Sequence, residues 1–154
     1  MEKLFLMFFL SVLLEMRGII ALIIAIFLVL TFVVRRNFLF KAFFTSKLNF
    51  LTSKFYYKEL YDLPRDLFYE KVKEVVKNDR HYKLLNENKD KYQLLLGTSI
   101  SIWSFGENIY LEFVEEDEST KLVMTSVAFQ MISWGRNKSN IKQFIDQINA
   151  SLVI

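Results

Sequence analysis

Hydrophobic positions along the 154-residue chain form three patterns, and each pattern predicts a different kind of element. The first pattern is an unbroken apolar run, GIIALIIAIFLVLTFVV at 18–34, which is bounded by Arg17 on one side and by Arg35 and Arg36 on the other. A helix over this run is about 25 Å long, near the minimum for crossing a bilayer, and the flanking arginines can snorkel to extend it. The run therefore predicts a single transmembrane helix.

A shorter apolar run lies at 4–14 and is separated from the first run by Glu15 and Arg17. This run is too short to span a membrane alone, so it either extends the helix, lies in the membrane interface, or is absent if translation starts at Met16. A cleaved signal peptide is the competing interpretation, but no small-residue cleavage site follows the run. The sequence predicts an uncleaved membrane anchor over 1–36.

The second pattern combines apolar and basic residues over 37–60. Six apolar residues fall on one helical stripe: Phe40, Phe43, Phe44, Leu48, Leu51 and Phe55. Lys47 also projects onto this stripe, where it could bury its aliphatic stem and keep its charge at a headgroup boundary. The segment is predicted to be a helix, either on the surface of an anionic leaflet or packed against the domain as a connection.

The distribution of charge separates this region from the rest of the chain. Between Met16 and Lys58 there are seven basic residues and no acidic one, whereas from Leu60 onward 12 Lys and Arg accompany 14 Asp and Glu. A basic region confined to this part argues against nucleic acid as a partner, and the positive-inside rule places the folded domain in the cytoplasm. Anionic membrane lipids are the predicted partner, and the predicted membrane-surface residues are Arg35, Arg36, Lys41, Lys47 and Lys54.

The third pattern predicts a small α+β domain over 61–154. Pro64 suits the first turn of a helix that ends near Lys77, and apolar residues from Ile141 to Leu152 recur at the spacing of a second helix. Four strand-like segments lie between the two helices, and they are 81–86, 91–99, 108–114 and 121–130. The expected order is α-β-β-β-β-α, with an antiparallel sheet and both helices on one face.

Two corners that contain Trp and Gly, SIWSFGENIY and SWGRNKSN, precede a predicted strand and the last predicted helix. In the second corner Gly135 supplies the change of direction, and Asn137 is a favoured helix N-cap. These structural roles account for most of the two corners. The polar groups at the helix N-terminus could also bind an anion or a partner. The candidate binding residues are Trp103, Glu107, Trp134, Arg136, Asn137 and Asn140.

The same two corners carry a resemblance. The segment from about 94 to 148 resembles uncharacterised small bacterial membrane-associated α+β domains, in which a Ser-Trp-Gly-Glu corner precedes a strand and a Trp-Gly-x-Asn corner opens the last helix. In this chain Ser104 and Phe105 separate Trp103 from Gly106. The resemblance implies a bacterial origin and an α+β fold, and it implies no activity.

Residues that carry chemistry are few. The chain has no Cys and a single His, His81, which is expected to be a surface or edge residue of a strand. The acidic turn EEDES lacks the spacing and the glycine of a calcium loop, and no phosphate-binding loop or nucleophile elbow occurs. No catalytic residue, metal or cofactor is predicted, and the protein is not expected to be an enzyme.

The predicted function is therefore binding. The main prediction is a single-pass, membrane-anchored interaction module or accessory subunit that presents its domain to a protein partner. The alternative is a lipid or apolar-ligand binding domain in which the sheet face forms the pocket. An enzyme is the least expected class, and it would require Glu107, Arg136 and Asn140 to cluster in one site.

Overall fold

The computed structural model describes the backbone of residues 2–99, 106–129 and 135–152. Within the first helix it describes side chains at 16–27, 29–30 and 33–35. The chain divides into two compact units, Met1–Arg35 and Arg36–Ile154.

The first unit contains one element, helix α1 (Glu2–Arg35), which is 34 residues long. The predicted transmembrane span at 18–34 lies within this helix. Over the residues described, no helix has both the length and the apolar character that crossing a membrane requires. The predicted single-pass anchor is therefore not supported.

The second unit is built from a five-stranded antiparallel sheet and three helices. After a 3-10 turn at Phe38–Phe40, its elements are α2 (Lys41–Thr45), β1 (Ser53–Tyr61), α3 (Arg65–Asn78), β2 (Tyr82–Asn88), β3 (Gln93–Thr98), β4 (Glu107–Glu116), β5 (Ser119–Ala128) and α4 (Arg136–Leu152). The strand order in the sheet is β1-β5-β4-β3-β2. The predicted α+β class and antiparallel sheet are confirmed, but a strand precedes the helix that was expected to come first.

That extra strand corrects the prediction of a helix over 37–60. Strand β1 pairs with β5 from Ser53 opposite Ala128 to Tyr61 opposite Thr120. Pairing satisfies the backbone groups of β1 along the edge of β5, and every second side chain then faces the core. Phe55 and Tyr57 pack against that core, so the aromatic residues at the end of this segment follow the period of a strand.

Helices α3 and α4 cover the same face of the sheet and share one core with it. The core side chains from the helices are Phe68, Tyr69, Val72, Val76, Ile141, Phe144, Ile145 and Ile148. From the sheet they meet Tyr61, Tyr82, Leu94, Leu96, Ile109, Leu111, Phe113, Leu122 and Met124. The ring of Phe68 stacks on Tyr61 at 4.3 Å and meets Phe113 edge-on at 5.5 Å, so bulky side chains fill the layer between helices and sheet.

The short segment before β1 packs on the same domain. Phe44 of α2 is buried and its ring meets Phe129 edge-on at 4.9 Å. The Lys41 ammonium pairs with the carboxylate of Glu112, which also accepts a 2.8 Å hydrogen bond from the Gln93 side chain. These contacts tie the segment 38–45 to β3, β4 and the end of β5.

Candidate functional site

A buried polar cluster lies where α4 begins. It is at the end of the sheet that contains the first residue of β4 and the last residues of β5. Its centre is Glu107, whose side chain is 1% exposed. Oε2 of Glu107 accepts a 2.7 Å hydrogen bond from Nδ2 of Asn140 and a 3.0 Å hydrogen bond from the Ser126 hydroxyl. These donors replace the water that the carboxylate loses on burial.

Asn137 extends the cluster toward β1. Its Oδ1 lies 3.2 Å from the Ser126 hydroxyl, and its Nδ2 donates to the Ser53 hydroxyl at 3.2 Å. The expected role of Asn137 as the helix N-cap is wrong, because α4 begins one residue earlier, at Arg136. Gly135, with φ of 78°, occupies the preceding position, and its carbonyl accepts the Ser139 N–H at 3.1 Å.

Asn140 also contacts the start of β2. Its backbone carbonyl accepts a 2.8 Å hydrogen bond from the Tyr82 hydroxyl, and its Oδ1 lies 3.3 Å from Nε2 of His81. Burial, together with the charges of Asp79 and Glu107, raises the pKa of the Tyr82 hydroxyl above its ordinary value. Because Asn140 stands between Glu107 and His81, the cluster holds them apart and makes no direct carboxylate–imidazole pair. Its contacts suit the fastening of α4 to the sheet.

The structure thus brings together three of the six predicted binding residues, namely Glu107, Asn137 and Asn140. Arg136 is half-buried at the start of α4. Trp103 and Trp134 lie outside the described residues.

The predicted membrane-surface residues have several different environments. Lys41 is paired with Glu112, and Lys54 donates to the carbonyls of Asn49 and Thr52. Burial lowers the pKa of the Lys54 ammonium. Arg36 and Lys47 are exposed, and Arg35 ends α1.

A second feature is an open groove of about 920 Å³ between α3 and β2, which sequence reasoning missed. Its apolar wall includes Leu67, Val76 and Leu84, and its rim carries Lys77 and Lys83. The sequence signal for it is weak, because Leu67 and Leu84 look like core residues of a helix and a strand. In the structure both are exposed, Leu67 by 49% and Leu84 by 42%, and both line the groove.

Lys73, one of the lining residues of the groove, belongs to an ionic network. Nζ of Lys73 lies 2.8 Å from Oε1 of Glu87, which also accepts a 2.9 Å hydrogen bond from the Tyr69 hydroxyl. The hydrogen bond from Lys73 lowers the pKa of Glu87, and the same contact raises the pKa of Lys73. Lys73 is thereby engaged within the protein, while Lys77 and Lys83 are exposed at the rim.

Comparison with known proteins identifies the fold. No family model and no curated protein matches the chain. Among solved structures, Ara h 8.0201 is similar with a TM-score of 0.51 at 8% identity, over 65% of this chain and 94% of that one. CalU16 from Micromonospora echinospora is similar with a TM-score of 0.52 at 11% identity, over 63% and 72% of the two chains.

The second unit has a Bet v1-like fold. At these identities the likeness concerns the fold alone. The main prediction, a membrane-anchored interaction module, is not supported by a membrane-spanning helix among the described residues, and the alternative, binding of a lipid or an apolar ligand, stays a prediction. The protein partner stays a prediction.

The prediction that the protein is not an enzyme is wrong, because it ruled out catalysis. The Zhui aromatase/cyclase from Streptomyces sp. R1128 also matches, with a TM-score of 0.40 at 9% identity, over 65% of this chain and 88% of that one. The fold that this chain shares with Ara h 8.0201 and CalU16, at 8% and 11% identity, does not rule out catalysis, so the exclusion does not stand. A match this distant transfers no catalytic residue to this chain.

Proposed function

We propose that the Bet v1-like domain binds an amphiphilic small molecule, with an apolar body and an anionic end, in the groove between α3 and β2. The observation that carries the proposal is the groove itself, whose volume of about 920 Å³ lies within the range of roughly 300–1,000 Å³ typical of small-molecule sites. Leu67 and Leu84 on its wall are exposed, so a ligand would remove apolar surface from water.

The packing of the core argues for this position over the sheet face that the sequence suggested. The side chains of Tyr69, Tyr82 and Phe144 are fully buried between the helices and the sheet. The Tyr82 and Phe144 rings lie 4.8 Å apart in that layer. A ligand at the open edge of α3 leaves these contacts intact, whereas a ligand under α4 would have to displace them.

The charges at the rim favour an anionic end on the ligand. Lys77 and Lys83 are exposed beside the apolar wall, and a lysine can place its ammonium over the end of a bound chain while its stem covers apolar surface. The lining of the groove contains three carboxylates and four lysines in all: Glu70, Glu74 and Asp79, and Lys71, Lys73, Lys77 and Lys83. Lys73 bridges toward Glu70 at 3.6 Å, which offsets part of that negative charge. A fatty carboxylate therefore matches the groove better than a cationic amphiphile.

Displacement of a fluorescent fatty-acid probe from the full-length protein tests this function. We expect a dansyl-undecanoic acid probe to bind saturably, and we expect Leu84→Asp to weaken its affinity by at least about tenfold, because a charge on the groove wall opposes the apolar body. Val114→Asp is the matched control, since Val114 on β4 is 43% exposed against 42% for Leu84 and lies outside the groove lining.

Both variants retain α1, so probe that adsorbs to its apolar residues contributes equally to each measurement. Thermal unfolding of both variants checks that the domain is intact. Absence of saturable binding, or equal weakening by Leu84→Asp and Val114→Asp, would exclude the groove as the site.

A further inference from the structure

A turn between α2 and β1 carries apolar side chains that point away from the domain. Leu48 is 91% exposed and Phe50 is 76% exposed, and Phe43 and Leu51 beside them are exposed as well. Bulky apolar side chains grouped in this way on a surface mark a site of interaction. We refer to residues 46–51 as the apolar turn.

Hydrogen bonds within the apolar turn satisfy three of its backbone N–H groups, those of Leu48, Asn49 and Leu51. The backbone N–H of Leu48 donates to the Ser46 hydroxyl at 3.2 Å, and the backbone N–H of Leu51 donates to Oδ1 of Asn49 at 3.0 Å. The Asn49 backbone N–H donates to the carbonyl of Ser46 at 3.1 Å, and its side-chain amide donates to the carbonyl of Phe43 at 3.2 Å. Each N–H group bonded in this way can enter a weakly hydrated environment at lower cost than one that depends on water.

The apolar turn is also fixed to the domain. The Thr52 hydroxyl donates to the carbonyl of Phe44 at 3.1 Å, and the Tyr56 hydroxyl donates to the carbonyl of Thr45 at 2.5 Å. Phe44 is buried against Phe129. Contacts on both sides of the turn therefore keep Leu48 and Phe50 in exposed positions.

Charge decides between the possible occupants of this surface. Lys47 in the turn is exposed, the Lys54 ammonium donates to the carbonyl of Asn49 in the turn, and no acidic residue occurs in the sequence between Met16 and Lys58. The same turn on a second copy would bring like charges together, which disfavours self-association. Apolar side chains flanked by lysines match instead a lipid surface with anionic headgroups.

We propose that the apolar turn is a peripheral membrane-docking element that places Leu48 and Phe50 among the acyl chains of an anionic bilayer. This inference does not depend on the ligand groove. Contact with a lipid surface would bring the domain to a source of amphiphilic molecules, so the two proposals are compatible but stand on different residues.

Site-specific fluorescence on the full-length chain tests the proposal, because the natural sequence has no Cys. A single Leu48→Cys variant labelled with an environment-sensitive dye is mixed with vesicles of phosphatidylcholine, with and without phosphatidylglycerol. We expect the dye to be quenched by spin-labelled lipid and protected from aqueous iodide with anionic vesicles, and less so with neutral vesicles or at high salt. Leu60→Cys is the control, since Leu60 is 58% exposed at the far end of β1.

Lys47→Gln provides a test of the charge. Loss of one lysine at an anionic surface should lower the equilibrium constant for insertion of the turn into the bilayer about fivefold. Lys142→Gln on the exposed side of α4 should leave it unchanged. Because the readout reports the position of the turn itself, association of α1 with the vesicles does not produce the expected signal.

Three results would overturn the docking proposal. The first is a Leu48 dye that remains accessible to iodide with anionic vesicles, and the second is equal quenching at Leu48 and Leu60. The third is protection of the Leu48 dye that rises with protein concentration in the absence of lipid, which would assign the turn to contacts between copies of the chain.

Discussion

The side-chain amide of Asn140 donates a 2.7 Å hydrogen bond to Oε2 of Glu107, although the two residues are 33 positions apart in the chain. Glu107 opens β4, and Asn140 lies in the second turn of α4. Because Glu107 is buried, its carboxylate depends on protein donors in place of water. This contact therefore fixes the start of α4 over the end of the sheet.

Replacement of Asn140 by Ala should destabilise the domain. The variant removes a donor from a buried carboxylate, and hydrogen bonds to charged groups contribute about 1.5–3 kcal/mol, so we expect a loss of about 2–3 kcal/mol. The measurement is the free energy of unfolding from urea titrations. Asn149→Ala is the control, because Asn149 is exposed on the same helix and should change stability by less than about 0.5 kcal/mol. Equal losses in the two variants would show that the contact with Glu107 contributes nothing.

Much of the fold could be predicted from the sequence because the spacing of apolar residues that marks a helix or a strand is contained within that element. The stripe from Ile141 to Leu152 predicts α4, and the alternation at 108–114 predicts β4, which runs over Glu107–Glu116. Pro64 correctly marks the start of α3, because its carbonyl accepts the first helical hydrogen bond, from Phe68 at 3.0 Å.

Strand β1 was not predicted, and Glu59 is one reason. Glu59 pairs with Leu122, so it occupies a position on the core side of the sheet and breaks the apolar alternation of Phe55, Tyr57 and Tyr61. The structure tolerates it because its Oε2 accepts hydrogen bonds from the hydroxyls of Tyr57 at 3.0 Å and Tyr61 at 2.7 Å. Such a compensation depends on tertiary contacts, and a local hydrophobic pattern does not contain it.

The candidate sites were predictable only in part for a related reason. Glu107 and Asn140 were singled out because each lies beside a Trp-Gly corner, but their contact depends on the register of β4 against β5 and on the placement of α4. The groove depends on how α3 is placed beside β2. Neither property follows from residue spacing within one element.

Asp79 should make the stability of the domain depend on pH in the acid range. Burial disfavours the Asp79 carboxylate, but hydrogen bonds from the backbone of Tyr82 and His81 and from the Gln147 side chain outweigh it and lower its pKa. A carboxyl whose pKa is lower in the folded state contributes stability above its unfolded pKa of about 3.9, and that contribution is lost as pH falls through the folded pKa.

Asp79→Asn should therefore flatten the decline of stability below about pH 4. The measurement is the free energy of unfolding as a function of pH, compared with that of Asp90→Asn, which changes an exposed carboxylate in the turn between β2 and β3. An unchanged acid decline in Asp79→Asn would show that Asp79 is not responsible.

Lys83→Gln tests whether the rim of the groove binds the anionic end of a ligand. If the proposed function is correct, this variant should weaken a fatty carboxylate by about 2–5-fold, as expected for an exposed charge pair, and leave the matching fatty alcohol unchanged. Competition against the fluorescent probe measures both ligands, and Lys142→Gln is the control for net charge. An equal loss of affinity for the fatty alcohol would show that Lys83 contributes to the shape of the groove and not to recognition of the charge.

Gly97 on β3 should be intolerant of a larger side chain because of an irregularity in the neighbouring strand. The pairing of β2 with β3 shifts between Leu84 and Asn86, so Leu85 is the extra residue of a β-bulge. A Cβ at Gly97 would lie 2.8 Å from Cδ1 and 3.1 Å from Cγ of Leu85, so the Leu85 side chain would have to move. Overpacking costs about 1–3 kcal/mol, and because the atoms that must move belong to the end of the Leu85 side chain, we expect Gly97→Ala to lose about 1 kcal/mol, at the lower end of that range.

Leu85→Ala in the same chain should recover part of the loss, because it removes the atoms that an alanine at position 97 would meet. A double-mutant cycle of unfolding free energies measures the coupling, which should be at least about 0.5 kcal/mol if the two positions are in contact. Strictly additive effects would show that contact with Leu85 does not cause the loss.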